Sequence, residues 1–172
     1  MHRPDLLTHP QETARILEDL RTSGKVLEVG VSNFTAAQTA ALANYLPFPL
    51  ASAQPEFSAL HLDPLFDGVF DQCMAMDLTV LAWSPLGGGR LATRDEIPEA
   101  LGKVLADLAA REEVDLPTIA LAFVLAHPTR PVGIVGSTQV DRITAAQRAL
   151  TVKLDRTDVY AIIQASMGAA LP

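Results

Sequence analysis

The amino-acid sequence predicts an α/β fold built on parallel strands. Three apolar runs each end in a short loop of Ser, Asn, Gly or Thr: Val29-Gly30-Val31-Ser32-Asn33-Phe34, Leu81-Ala82-Trp83-Ser84-Pro85-Leu86-Gly87-Gly88-Gly89 and Gly133-Ile134-Val135-Gly136-Ser137-Thr138. Helix-like segments alternate with the runs, and strands that alternate with helices pair in parallel through helical crossovers. Small polar groups and backbone amides at the strand carboxyl ends then gather on one rim, which is where α/β folds bind ligands. That rim reads as a nucleotide site.

Pro10 to Ser23 places Ile16, Leu17 and Leu20 on one face and ends at Gly24, the pattern of a helix with Pro in its first turn and Gly past its end. Lys25 to Val31 follows as a strand, and Thr35 with Gln38 has the spacing of a capping box that opens a helix through about Asn44. Pro47 and Pro49 break the chain before a short strand, Leu50 to Pro55. A helix over Pro64 to Met76 comes next, then the most apolar strand, Leu78 to Trp83. Ser84 to Thr93 is rich in Gly and turn residues and reads as an irregular loop over the rim. Ile97 to Glu113 and Pro117 to Ala126 read as helices, the second apolar all round and so buried. Pro131 to Gly136 is the fourth strand, Thr138 with Asp141 fits a second capping box, and helices at Arg142 to Leu150 and Asp155 to Met167 end the chain.

With 172 residues, 49% of them hydrophobic, the chain can bury one substantial core, so one domain, or a large piece of one, is expected over 1–172. Four strand-helix units fit either a small open sheet or half of a barrel, because a complete eight-stranded barrel takes about 250 residues. Thirteen basic against 20 acidic residues, net −7, exclude a nucleic-acid surface, which needs clustered Lys and Arg. Cys73 is the single cysteine, so there is neither an intrachain disulfide nor a thiolate metal cluster, and a reducing cytoplasm is the expected home. Its neighbours Met74 and Met76 make packing its expected role. Met1 to Asp5 lacks the apolar stretch of a secretory signal, and no run of roughly 18 apolar residues marks a membrane span. His9, His61 and His127 have no metal-ligand spacing, and the Gly-x-Gly-x-x-Gly, P-loop and Gly-x-Ser-x-Gly patterns do not occur.

The segments His2-Arg3-Pro4-Asp5, Ser23-Gly24-Lys25, Gly30-Val31-Ser32-Asn33-Phe34, Gln54, Ala82 to Gly89, and Gly136-Ser137 followed by Arg142 closely resemble, in order and spacing, the second half of the aldo-keto reductases. The likeness is strongest to their bacterial oxidoreductase branch and covers essentially the whole chain. It implies a (β/α)8 barrel of TIM type of which this chain holds the second half, strands five to eight, starting at the end of the fourth.

The resemblance also implies roles. Ser32, Asn33 and Gln54 match the groups that hydrogen-bond a nicotinamide carboxamide, and Trp83 the aromatic beneath the nicotinamide ring. Taken alone, Ser32-Asn33 reads as a helix-entry turn and Trp83 as a core residue. Ser84, Leu86 and Gly87 match the loop around the pyrophosphate, where glycines let amides approach an anion without net positive charge. Gly136, Ser137 and Thr138 match the phosphate-binding helix entry, and Arg142 the arginine on the adenosine 2'-phosphate, a task that suits a guanidinium. NADP(H) is therefore implied over NAD(H). Two departures weaken that preference: many members have Lys where Gly136 stands and Glu-Asn where Ala145-Ala146 stand, with Gln139 compensating in part.

His2 matches the substrate-orienting His of the catalytic tetrad, whereas the Asp, Tyr and Lys belong to family strands preceding it. Neither Tyr45 nor Tyr160 sits in a matching motif, so no general acid is assigned. The implied activity is hydride reduction of an aldehyde or ketone, a small carbonyl substrate, by the complete protein. The alternatives are a nucleotide-binding or interaction protein without turnover and a truncated gene product. The unpaired strand edges of a half-barrel predict self-association into a homo-oligomer.

Overall fold

A computed structural model describes residues 1–170. Its four strands, β1 (Gly30–Ser32), β2 (Ser52–Gln54), β3 (Thr79–Ala82) and β4 (Val132–Gly133), form one sheet in the order β1-β2-β3-β4. Pairing of β1 with β2 and of β2 with β3 is parallel, with Val31 opposite Ala53 and Ala53 opposite Val80. The helices are α1 (Pro10–Thr22), α2 (Ala36–Ala43), α3 (Val69–Ala75), α4 (Arg90–Thr93), α5 (Glu99–Arg111), α6 (Leu116–Leu125), α7 (Val140–Ala146) and α8 (Arg156–Met167). This is the α/β alternation expected from the sequence. The described chain divides into two compact units, one of Met1–Pro55 with Pro64–Leu81, the other of Glu56–Asp63 with the chain from Ala82 onward.

In the first unit, α1 starts behind His9, whose ring nitrogen accepts the Gln11 amide at 3.2 Å, so this histidine is a cap. Thr35 and Gln38 form the expected capping box of α2, with exchange distances of 3.0 and 3.2 Å. The strands are shorter than the apolar runs. Lys25 and Val26 are tied by their amides to Leu20 at the end of α1, and Leu27 is exposed, so pairing begins only where Val29 accepts from Ala51. Gly30 in β1 leaves no room for a side chain: a Cβ there would overlap the Ser52 hydroxyl. The helix expected over 64–76 is interrupted. A single 3-10 turn at Asp63–Leu65 gives way to α3 only after Gly68, whose φ of +84° stops the first turn, while Asp67 accepts the Val69 amide. Leu17, Val31, Leu42, Ala53, Phe70 and Val80 form the buried interior of this unit.

In the second unit α6 is buried on nearly every side, as its all-apolar sequence predicts. Leu101, Leu105, Ile119, Phe123, Val124 and Ile162 fill the core that α6 shares with α5 and α8. The glycine loop after β3 is more regular than expected, with a 3-10 turn at Gly87–Gly89 running into the one-turn helix α4. The capping box expected at Thr138 and Asp141 does not form. The cap of α7 is Gln139, without a side-chain bond, because Ser137 Oγ accepts the Gln139 amide and moves the helix start one residue on. A true capping box opens α8 instead, between Asp155 and Asp158. No helix among the described residues is long and apolar enough to cross a membrane.

Candidate functional site

At the carboxyl end of β1 the chain turns sharply. Asn33 takes φ +58°, a left-handed conformation that Asn tolerates better than most residues. The turn is fixed from both sides. The Ser32 hydroxyl, nearly buried, donates to the Gln54 carbonyl at 2.9 Å, and the Asn33 amide donates to the same carbonyl at 3.3 Å. Asn33 Nδ2 reaches Ser32 Oγ and the His2 carbonyl, each at 3.1 Å. The backbone of Met1 lies alongside β1: its amine donates to the Gly30 carbonyl at 2.8 Å and its carbonyl accepts from Ser32 at 2.8 Å. That is the slanted bonding of a parallel ladder. His2 is thus anchored through its backbone while its side chain stays exposed. Four sequence-predicted residues, His2, Ser32, Asn33 and Gln54, are brought together here.

Behind this cluster, Asn33, Gln54, Gln72 and Cys73 line a crevice of about 10 Å³, too tight for a ligand. Gln72 closes it by donating to the Ala36 carbonyl at 2.6 Å. Burial, with a smaller contribution from the Asp67 carboxylate, pushes the Cys73 thiol up to about 11.

The second unit carries Trp83, Ser84, Leu86 and Gly87 in one loop. Trp83 bridges in parallel to Glu56, and its carbonyl accepts the Phe57 amide at 3.3 Å. Ser84 (φ +48°) and then Gly87, Gly88 and Gly89 (φ +58°, +68° and +98°) all adopt left-handed backbone. The Gly87 amide donates to the Ser84 carbonyl at 2.7 Å and that of Gly89 to Leu86 at 3.0 Å, while Arg90 Nε donates to the Gly87 carbonyl at 3.2 Å. Between Ser84 and Arg94 there are two arginines and no carboxylate, in a chain whose net charge is −7. Adjacent to β3, Ile134 donates to the Ala82 carbonyl at 2.8 Å. The segment Gly136, Ser137, Thr138 follows, and Arg142 stands exposed on α7. Neither tyrosine is grouped with His2: Tyr45 stands edge-on to His9, and the Tyr160 hydroxyl accepts from Arg156 at 3.1 Å. No group of metal-binding side chains occurs among the described residues.

Residues 1–166 match the model of the aldo/keto reductase family. The chain belongs to that family. Among its aldo/keto reductase relatives, a 6-dehydroglucose reductase of Novosphingobium aromaticivorans is 45% identical over 173 residues, covering all of this chain and 57% of that protein. The oxidoreductase YdhF of Escherichia coli is 39% identical over 175 residues, covering all of this chain and 58% of that protein. A crystal structure of a thermostable aldo-keto reductase in complex with the inhibitor epalrestat superposes with a TM-score of 0.86 at 23% identity, over 96% of this chain and 58% of that one. The chain therefore spans a little over half the length of the relatives it matches.

One support of the aldo/keto reductase loop was not anticipated from the sequence. Ser58-Ala59-Leu60-His61 forms a tight turn whose Leu60 side chain abuts Gly87, and nothing in four ordinary residues announces that contact.

Proposed function

We propose that this chain carries the cofactor-binding half of an NADP(H)-dependent aldo-keto reductase, with NAD(H) as the alternative coenzyme, and that the complete protein reduces an aldehyde or ketone to an alcohol. The observation that carries the reading is the Ser32-Asn33-Gln54 cluster at the mouth of one parallel strand pair: the Asn33 carboxamide donates to the Ser32 hydroxyl, which donates to the Gln54 backbone carbonyl, and none of these groups is charged. An uncharged carboxamide needs both a donor and an acceptor, and hydroxyl and carboxamide side chains are the residue types that supply both without a charge to desolvate. The loop from Ser84 to Arg94 fits an anion by the same test, since its left-handed glycines and two arginines carry no opposing carboxylate.

When bound, the nicotinamide supplies a hydride; the residues of this chain bind and orient. Ser32, Asn33 and Gln54 hold the carboxamide, and Trp83 covers one ring face. Ser84, Leu86 and Gly87 line the pyrophosphate. Gly136, Ser137 and Thr138 lie along the adenosine phosphate, and Arg142, exposed on α7, grips it. His2 orients the substrate carbonyl. The 6-dehydroglucose reductase among the relatives makes 6-dehydroglucose the first substrate to try with the complete protein.

Three further readings belong to this proposal. The four strands are the last four of a (β/α)8 barrel, of which 1–172 form a single partial domain, the protein works in the cytoplasm, and the 172-residue chain completes its sheet edges by self-association. The binding reading is tested by titrating the chain with NADPH while following the emission of Trp83, its single tryptophan. Saturable quenching that Arg142→Ala weakens and Ser32→Ala weakens further is expected; an unchanged emission up to millimolar NADPH overturns the reading.

A further inference from the structure

We infer that Leu60 is a positioning residue for the glycine loop: it fixes the left-handed corner at Gly87 and so sets the affinity for a pyrophosphate-bearing dinucleotide, an inference resting on the cofactor reading above. Gly87 is buried, and a Cβ built on it would lie 2.8 Å from Leu60 Cδ1 and 3.4 Å from Leu60 Cβ. Leu60 thus occupies the space that a side chain at position 87 would need. It packs over the bare Cα of the loop at a residue in left-handed backbone.

Leu60 can act as a stop because its own position is over-determined. The Ser58 amide donates to the His61 carbonyl at 3.2 Å and the His61 amide to the Ser58 carbonyl at 3.1 Å, closing the turn. Ser58, completely buried, accepts the Leu60 amide on its hydroxyl at 3.1 Å. One residue earlier, Phe57 is bonded to the Trp83 carbonyl and packs against Phe123, the rings tilted by 36° with centroids 5.5 Å apart. The His61 ring stands 4.0 Å from the Glu56 carboxylate and 3.7 Å from that of Asp63. The turn is therefore tied to the same strand end, β3, from which the glycine loop departs. On the loop side, the bonds Gly87 to Ser84 and Arg90 to Gly87 close the ring of contacts that Leu60 backs. Preorganised amides bind an anion better than amides that must first be ordered, so removing the stop should cost affinity without removing any group that touches the ligand.

Amide hydrogen exchange and NADPH titration of the 172-residue chain, wild type, Leu60→Ala and Leu60→Met, test this together. Leu60→Ala should exchange the Gly87 amide about tenfold faster than wild type and raise the NADPH dissociation constant about tenfold. Core amides of Leu105 and Ile119 should keep their protection, which separates loosening of the loop from general loss of stability. Leu60→Met, which restores the bulk, should return both readouts to within about twofold of wild type. Unchanged Gly87 exchange in Leu60→Ala overturns the inference whether or not NADPH binds, and faster exchange with unchanged affinity overturns the link to the ligand. A wild-type chain that binds no NADPH overturns the cofactor reading alone, the exchange data still deciding the role of Leu60.

Discussion

Ser32 and Asn33 show how residue types common in turns build a polar cluster. Both are ordinary helix-entry residues by sequence, and the structure does use them in a turn, yet they also bond to Gln54, to His2 and to each other, while Thr35 caps the following helix. The helix entry and the polar cluster are therefore separate devices placed two residues apart. Cys73 is the opposite case, a reactive residue type made inert. Burial dominates and Asp67 adds to it, so the thiol titrates near 11, and at pH 8 only about one molecule in a thousand carries a thiolate there. A thiol-disulfide reagent at pH 8 should label the native chain far more slowly than the chain in denaturant; rapid labelling of folded protein would contradict the packing role.

Two helix starts, of similar sequence and different outcome, separate pattern from energetics. Thr35 and Thr138 each stand three residues before a Gln or Asp that suits a capping box, but only Thr35 makes the bonds. Thr35→Ala should cost about 1 kcal/mol in chemical denaturation, and Thr138→Ala, at an exposed residue without a capping bond, should lie within about 0.5 kcal/mol of wild type. Helix α8 adds a charge-dependent case. Arg111 holds Asp158 in a fork at 2.8 and 2.7 Å, and that bond, ahead of the one from the Asp155 backbone, keeps the Asp158 carboxyl below the usual range. A carboxylate whose folded pKa is depressed contributes stability above its unfolded value, near 4, and loses it as pH falls through the lower folded value. Asp158→Asn should therefore be less stable than wild type at pH 7 by about 1–2 kcal/mol, with the difference shrinking below about pH 4 in urea melts; a constant difference down to pH 2 would rule out this origin. The sequence showed the number, kind and order of strands and most helices because apolar runs and Pro or Gly punctuation are local signals. Strand lengths were not legible, since Lys25 and Val26 turn back on the end of α1 and only pairing partners decide where β1 begins. The break at Gly68 and the failed cap at Thr138 depend on backbone angles and a competing Ser137 bond, and the Leu60 contact joins residues 27 positions apart in sequence. For the site, the motif residues were readable because they are contiguous in the chain; their support was not.

For the molecule as a whole, charge and apolar surface act against each other. A net charge of −7 disfavours association, yet α7 buries none of its side chains, and Val132, Val140 and Leu150 are 52%, 75% and 74% exposed. The strand order leaves β4 at a sheet edge, and Ile134 and Val135, just beyond it, are also exposed. An exposed apolar edge is a template for pairing with another chain, and scattered single residues would not be, so the concentration of apolar groups between 132 and 150 is what matters. Sedimentation equilibrium of the 172-residue chain should show mass rising with concentration, more steeply as added salt screens the like charges. Val132→Glu with Val140→Glu should bring the mass back to that of the monomer, because both side chains are already exposed and their replacement adds repulsion without emptying a core; circular dichroism should be unchanged. A wild-type chain that is folded and strictly monomeric at high concentration and high salt would sink self-association as the way these edges are covered.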